Sequence, residues 1–159
     1  MVYRKICVAV ALQRYIDLPP VALRQRELAR ALAAAHGASI QVLSVNAPMP
    51  LLPDVETTED KLQRFLAPLL DEGLEAHWSL REGRPSREIA RYVQDIAADV
   101  LILGTHSKRG PFDVGLGSTA AAIPQDLALT VILIRPTEDE QERTRELMIP
   151  RYPFIFPYG

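Results

Sequence analysis

The densest set of chemically useful groups in the chain lies in "GTHSKRGPFDVGLGST", residues 104–119. Gly104 closes an apolar run, "DVLILG", and a glycine at a strand end lets a ligand approach the backbone. Lys108 and Arg109 add two adjacent cations. Gly117 and Ser118 open an alanine-rich segment, with Ser118 placed to cap a helix and Thr119 beside it. Free amides and the positive end of a helix dipole make a natural anion site. The chemistry on offer is phosphate binding by amides, hydroxyls and cations. Clustered glycines alone equally fit an exposed turn before a capped helix, and the cations together with the position after a strand favour the anion. Ser107 is the awkward residue. Its Cβ falls where such a loop would more comfortably carry glycine, at a cost of about 1 kcal/mol, although its hydroxyl can donate to a phosphate oxygen.

The elements that must position this loop read as alternating strands and helices. "ICVAVA" (6–11) is a continuous apolar run of the kind buried on both faces of a sheet. Pro20 suits the first turn of a helix carrying Leu23, Leu28, Ala31, Leu32 and Ala35, stopped by Gly37. "SIQVLSV" (39–45) is the second strand. A proline-interrupted connection leads to a helix marked by Leu62, Phe65, Leu66, Leu69 and Leu70, in which Pro68 predicts a kink or an early break. "EAHWSLR" (75–81) reads as a strand, and "EGRPSRE" as a turn with a serine N-cap before a helix with Ile89, Tyr92, Val93 and Ile96. "DVLILG" and "TVILIR" (130–135) complete five strands, separated by the glycine loop and a short helix ending near Pro124. The pattern predicts an α/β three-layer sandwich around a five-stranded parallel sheet. Ligands of such sheets sit beyond the carboxyl ends of the strands, where strand order reverses. The glycine loop leaves one such end.

At 159 residues the chain is long enough for one full core, and 48% hydrophobic with 24% charged residues is ordinary globular composition. A net charge of −2 excludes broad electrostatic attraction to nucleic acid or an anionic membrane. No apolar run approaches the roughly 20 residues of a membrane span. "MVYRKICVAVAL" is read as a strand rather than a secretory leader, since its apolar run is short and lacks a small-residue cleavage site. Cys7, the single cysteine, is expected to be a buried, reduced thiol, which fits a cytoplasmic protein.

The loop and its flanks resemble the universal stress protein family, whose nucleotide signature is G-x-x-G, nine residues, then G-[ST]. Gly104, Thr105 and His106 match the opening, Ser107 replaces the second glycine, and Gly117-Ser118 closes the pattern after residues 108–116. "KICVAV", "GRPSREIARYVQDIAADVLILGTH" and "TVILIRP" extend the likeness over residues 3 to 136. The resemblance implies a Rossmann-like, adenine nucleotide alpha hydrolase-like fold that binds ATP or AMP, with Mg2+ accompanying ATP. It places phosphates on Gly104, Ser107, Lys108, Arg109, Gly117, Ser118 and Thr119, and the adenine against Val45. The family's usual "VAVDGS" reads "VAVALQ" here, so Ala11 replaces an aspartate that helps hold the nucleoside. A lost hydrogen bond of that kind is worth roughly 0.5–1.5 kcal/mol, or up to about tenfold in affinity. The implied function is a homodimeric stress-response regulator, paired through "TVILIR" and acting on a partner protein that the sequence does not name. The alternative is a nucleotide-independent dimeric adaptor whose site has decayed. A slow ATPase ranks last because no positioned base is evident.

Domain boundaries follow the same division, with residues 1–136 forming the universal stress protein domain and 137–159 a C-terminal extension. "TEDEQERTRELM" reads as a short helix, and "IPRYPFIFPYG" as an arm whose Tyr152, Phe154, Phe156 and Tyr158 seek burial. His36, His77 and His106 are too scattered for a metal site. His36 fits a helix end, Trp78 the core or an interface, and Asp113 the edge of a Mg2+ site or plain solvent. No catalytic constellation is visible.

Overall fold

The computed structural model describes residues 2–48, 55–105 and 119–149. The elements run β1 (Lys5–Ala9), α1 (Pro20–His36), β2 (Ser39–Asn46), α2 (Thr58–Asp71), β3 (Ala76–Glu82), α3 (Pro85–Asp95), β4 (Val100–Gly104), β5 (Thr130–Ile134) and α4 (Glu138–Leu147). Residues 119–122 are also helical. The five strands form one parallel sheet in the order β3-β2-β1-β4-β5. This is the three-layer α/β architecture that the alternation predicts.

Period-two alternation sorts the strand residues between two cores. Ile6, Val8 and Val10 of the first run face α1 and α2, together with Ile40, Val42, Val100 and Ile102. Cys7 and Ala9 face the opposite way, with Leu43, Leu101 and Leu103 packed on Ile89, Tyr92 and Val93 of α3. Burial pushes the Cys7 thiol up, so it stays protonated and acts as a small hydrophobe.

The helix ends follow local chemistry. Pro20 sits in the first turn of α1, and Gly37 stops the helix in the left-handed region at φ 67°, donating to Ala33 O. His36, the last helical residue, accepts from the Tyr3 N–H at 3.3 Å. Thr57 caps α2 through the Asp60 N–H. Pro68 does not end α2, which continues to Asp71. The proline lies in the last turn, so its missing N–H removes one bond near an end that frays anyway. Ser86 is not a cap. α3 starts at Pro85, whose fixed φ suits the first helical position, and Arg84 in the cap position makes no side-chain capping bond. α4 carries a complete capping box between Thr137 and Glu140.

Candidate functional site

The chain leaves the centre of the sheet in two directions, so strand order reverses between β1 and β4. Their register ends at Val8↔Ile102. Beyond it Ala9 stays with Leu43 of β2, while Leu103 and Gly104 stay with β5. The opening between the two strands is bridged from the α1 side by Gln25, which is fully buried. Its Nε2 donates to Ala9 O at 2.7 Å and to Ile102 O at 3.2 Å. The amide thus satisfies carbonyls where the β1–β4 ladder has stopped. Among the described residues its Oε1 has no hydrogen-bond partner, and it lies against Gly104.

Gly104 is where the crowding is greatest. A Cβ there would stand 2.4 Å from Val21 Cγ1 and 2.7 Å from Gln25 Oε1. The glycine therefore has an intramolecular cause on this face, which is the close seating of α1. Thr105, the next residue, is buried, and its N–H donates to Ile134 O at 3.0 Å.

The loop after β1 supplies the other wall. Val10 donates its N–H to Leu43 O and accepts from Ser44 Oγ at 2.8 Å. Ala11 and Val45 each lie two residues past the last β1–β2 pair, Ala9↔Leu43. Ala11 is exposed, while Val45 is half-buried against the α3-side core. Leu12 O accepts from the Lys61 ammonium of α2 at 2.9 Å. Gln13 makes a two-point contact with the end of β2, donating to Ala47 O and accepting from the Ala47 N–H. Arg64 of α2 then grips Asp17 and Glu56 at 2.8 and 2.6 Å, which holds both carboxyls below their ordinary range.

Of the residues singled out in the sequence, the structure therefore brings Ala11, Val45 and Gly104 to one edge. Thr119 is buried in the helical turn at 119–122. Ser107, Lys108, Arg109, Gly117, Ser118, His106 and Asp113 lie outside the described residues, as do Tyr152, Phe154, Phe156 and Tyr158. Three residues at the edge escaped sequence reasoning. They are Gln25, Lys61 and Gln13. Lys61 is almost fully buried, and desolvation holds its ammonium below the usual lysine range. Among the described residues its ammonium donates one hydrogen bond, and no carboxylate lies within ion-pair distance. The signal available was positional, because Gln25 and Lys61 fall on the buried stripes of their helices.

Ala9 and Leu103 are buried within the α3-side core, half-buried Val45 packs against it, and exposed Ala11 offers no side-chain acceptor. No group of three His, Cys, Asp or Glu among the described residues could hold a metal ion. No described helix is long and apolar enough to cross a membrane.

Comparison with known proteins agrees with this fold. Residues 3–135 match the family model described as Universal stress protein family. A universal stress protein from Archaeoglobus fulgidus superposes with a TM-score of 0.62 at 21% identity, over 85% of this chain and 45% of that one. The chain thus spans less than half the length of that protein. A universal stress protein family protein from Arabidopsis thaliana with AMP bound superposes at 0.59 and 20% identity, over 86% and 94% of the two chains. A universal stress protein from Archaeoglobus fulgidus in complex with dAMP gives 0.54 at 21%, over 84% and 99%. A search of curated protein sequences gave no match.

Proposed function

Because the chain belongs to the universal stress protein family, we propose that it is a dimeric regulatory protein that binds an adenine nucleotide, AMP or ATP, at the carboxyl edge of its sheet. The observation that carries this reading is the meeting of two chain segments at the switch in strand order. The end of β4, from which the glycine loop departs, lies beside the end of β1, which leads to Ala11 next to Val45. The relatives that hold AMP and dAMP share the fold, which supports the ligand class. In this reading Val45 packs the adenine, and Ala11 gives the ribose room without a hydrogen bond. Gly104, Ser107, Lys108, Arg109, Gly117, Ser118 and Thr119 serve the phosphates, and ATP brings Mg2+ with it. Occupancy, or contact with a partner protein, then changes under stress in the cytoplasm. Pairing of two copies runs along β5.

The second reading is a nucleotide-independent dimeric adaptor. It is favoured by Ala11, which offers no acceptor, and by Gly104, whose missing side chain is already explained by Val21 and Gln25. Titration calorimetry with AMP and ATP separates the two. The parent should bind, Gly117→Val should block binding, and Ala11→Asp should tighten AMP and adenosine alike by up to about tenfold. Absence of binding at millimolar ligand in both the parent and the Ala11→Asp, Ser107→Gly double variant would leave the adaptor.

A further inference from the structure

The family match stops at residue 135, yet the chain continues into an ordered element. α4 turns back onto α1, where Arg24 Nη1 bridges Arg135 O and the Glu140 carboxylate, each at 2.9 Å. Glu140 is buried in that contact. It also accepts from the Thr137 N–H as part of the capping box. Past α4 the chain reaches the loop that follows β1. Ile16 donates its N–H to Leu147 O, and Ile149 donates its N–H to Arg14 O, both at 2.8 Å. Between them Tyr15 and Met148 form an antiparallel bridge. Tyr15 and Ile149 are both buried, and burial pushes the Tyr15 hydroxyl up to about 12. The contact is a two-bond ladder sealed by apolar side chains.

We propose that residues 136–149 are a strap that sets the loop after β1 in its ligand-ready form, so that docking of the strap and occupation of the site are coupled. The inference rests on the nucleotide reading above and adds the element that governs it. Residues 14–16 begin three positions after Ala11, and the stretch between is otherwise held by Lys61 on Leu12 O and by Ala47 on Gln13. The site side of the loop is thus fixed from α2 and β2, and its far side from the C-terminal strap together with the Arg64–Asp17 pair. Release of the strap removes partners from the Ile16 N–H and Arg14 O and uncovers Tyr15. Water takes the place of those partners, and the loop, no longer pinned on that side, populates conformations other than the held one. A nucleotide that needs the held form then binds less well. By linkage, the nucleotide must in turn hold the strap.

The experiment uses the full chain, a chain ending at Pro136, and Ile149→Pro in the full chain. The last keeps the length but lacks the N–H that bonds Arg14. AMP affinity is measured by calorimetry well below each variant's melting temperature, with amide exchange at Ile16 and Ile149 followed with and without AMP. The expected result is weaker AMP binding by about fivefold or more in both altered chains. AMP should also slow exchange at both amides in the full chain. If the shortened chain does not fold, Ile149→Pro carries the comparison. Equal affinities in all folded forms, with exchange at Ile16 indifferent to AMP, would overturn the coupling alone. No AMP binding by the full chain would overturn it together with the nucleotide reading.

Discussion

Gly104 and Gln25 show how a single position can answer to the fold and the site together. A methyl group at residue 104 has nowhere to go, because Val21 is β-branched and stiff on the first turn of α1. Gly104→Ala should therefore destabilise the protein by about 1–3 kcal/mol, as overpacking does. Val21→Ala removes the nearest of the clashes, leaving only the one with Gln25, so the two changes should not add. Urea unfolding of both single variants and the double should give a favourable coupling of about 1 kcal/mol, and strict additivity would refute the steric account. Gln25→Leu should cost about 1–3 kcal/mol for a different reason, since it strips the donor from Ala9 O and Ile102 O. From the sequence Gly104 is legible as a special position through the ligand approach that a strand-end glycine allows, whereas the reason visible in the structure is steric and internal to the fold. Gln25 was harder. It continues the buried series Val21, Ala22, Gln25, Ala29 and Ala33, so a polar residue on an apolar stripe was the visible clue. What the stripe could not reveal was that its target is a pair of carbonyls on strands 16 and 77 residues away in sequence.

At the scale of elements, patterning located every described strand and long helix, and the errors fell at their ends. The first apolar run was read to residue 11, whereas β1 ends at Ala9, because β4 diverges and leaves Val10 bonded only toward β2. Pro68 predicts a kink or an early break on intrinsic preference, and the break does not occur. The apolar face made by Leu62, Phe65, Leu66 and Leu69 outweighs that preference in the tertiary structure. Arg64 ties this helix to two other segments, and its effect on stability has a definite sign. Hydrogen bonding by Arg64 lowers the pKa values of Asp17 and Glu56. The folded state consequently binds fewer protons than the unfolded chain in the acid range, and stability falls as pH falls. The contribution is complete above about pH 5 and is lost as pH drops through the lowered folded-state values. Exposure of the side chains limits it to less than about 1 kcal/mol. Arg64→Met keeps the aliphatic stem and removes the pairing. The stability gap between parent and variant, measured by urea unfolding at a series of pH values, should close from pH 5 toward pH 3. A gap that stays constant over that interval would mean the ion pairs contribute nothing in solution.

For the whole molecule the decisive feature is which strands are left at the margins. Strand number and parallel sense were legible in the alternation, whereas the order β3-β2-β1-β4-β5 needed the fold itself, since long-range pairing leaves no local trace. That order puts β5, "TVILI", at one edge with Val131 exposed. An apolar edge invites pairing with another strand, and the proposed dimer uses it. Backbone direction makes the idea testable without disturbing the monomer. Thr130 donates its N–H inward to Asp99 O. By the two-residue repeat of a strand, the Ile132 and Ile134 amides also point inward, and those of Val131 and Leu133 point outward. Proline at an outward position removes no bond of the monomer's own sheet, which is why edge strands tolerate it. Val131→Pro should thus leave thermal stability nearly unchanged while deleting an outward donor and placing a ring in the path of a second strand. Val131→Ala, which keeps the N–H, should still pair. Sedimentation equilibrium at tens of micromolar should find dimers of the parent and of Val131→Ala, and monomers of Val131→Pro. A monomeric parent would remove the dimer from the proposed function. A folded Val131→Pro protein that still dimerises would move the interface away from β5.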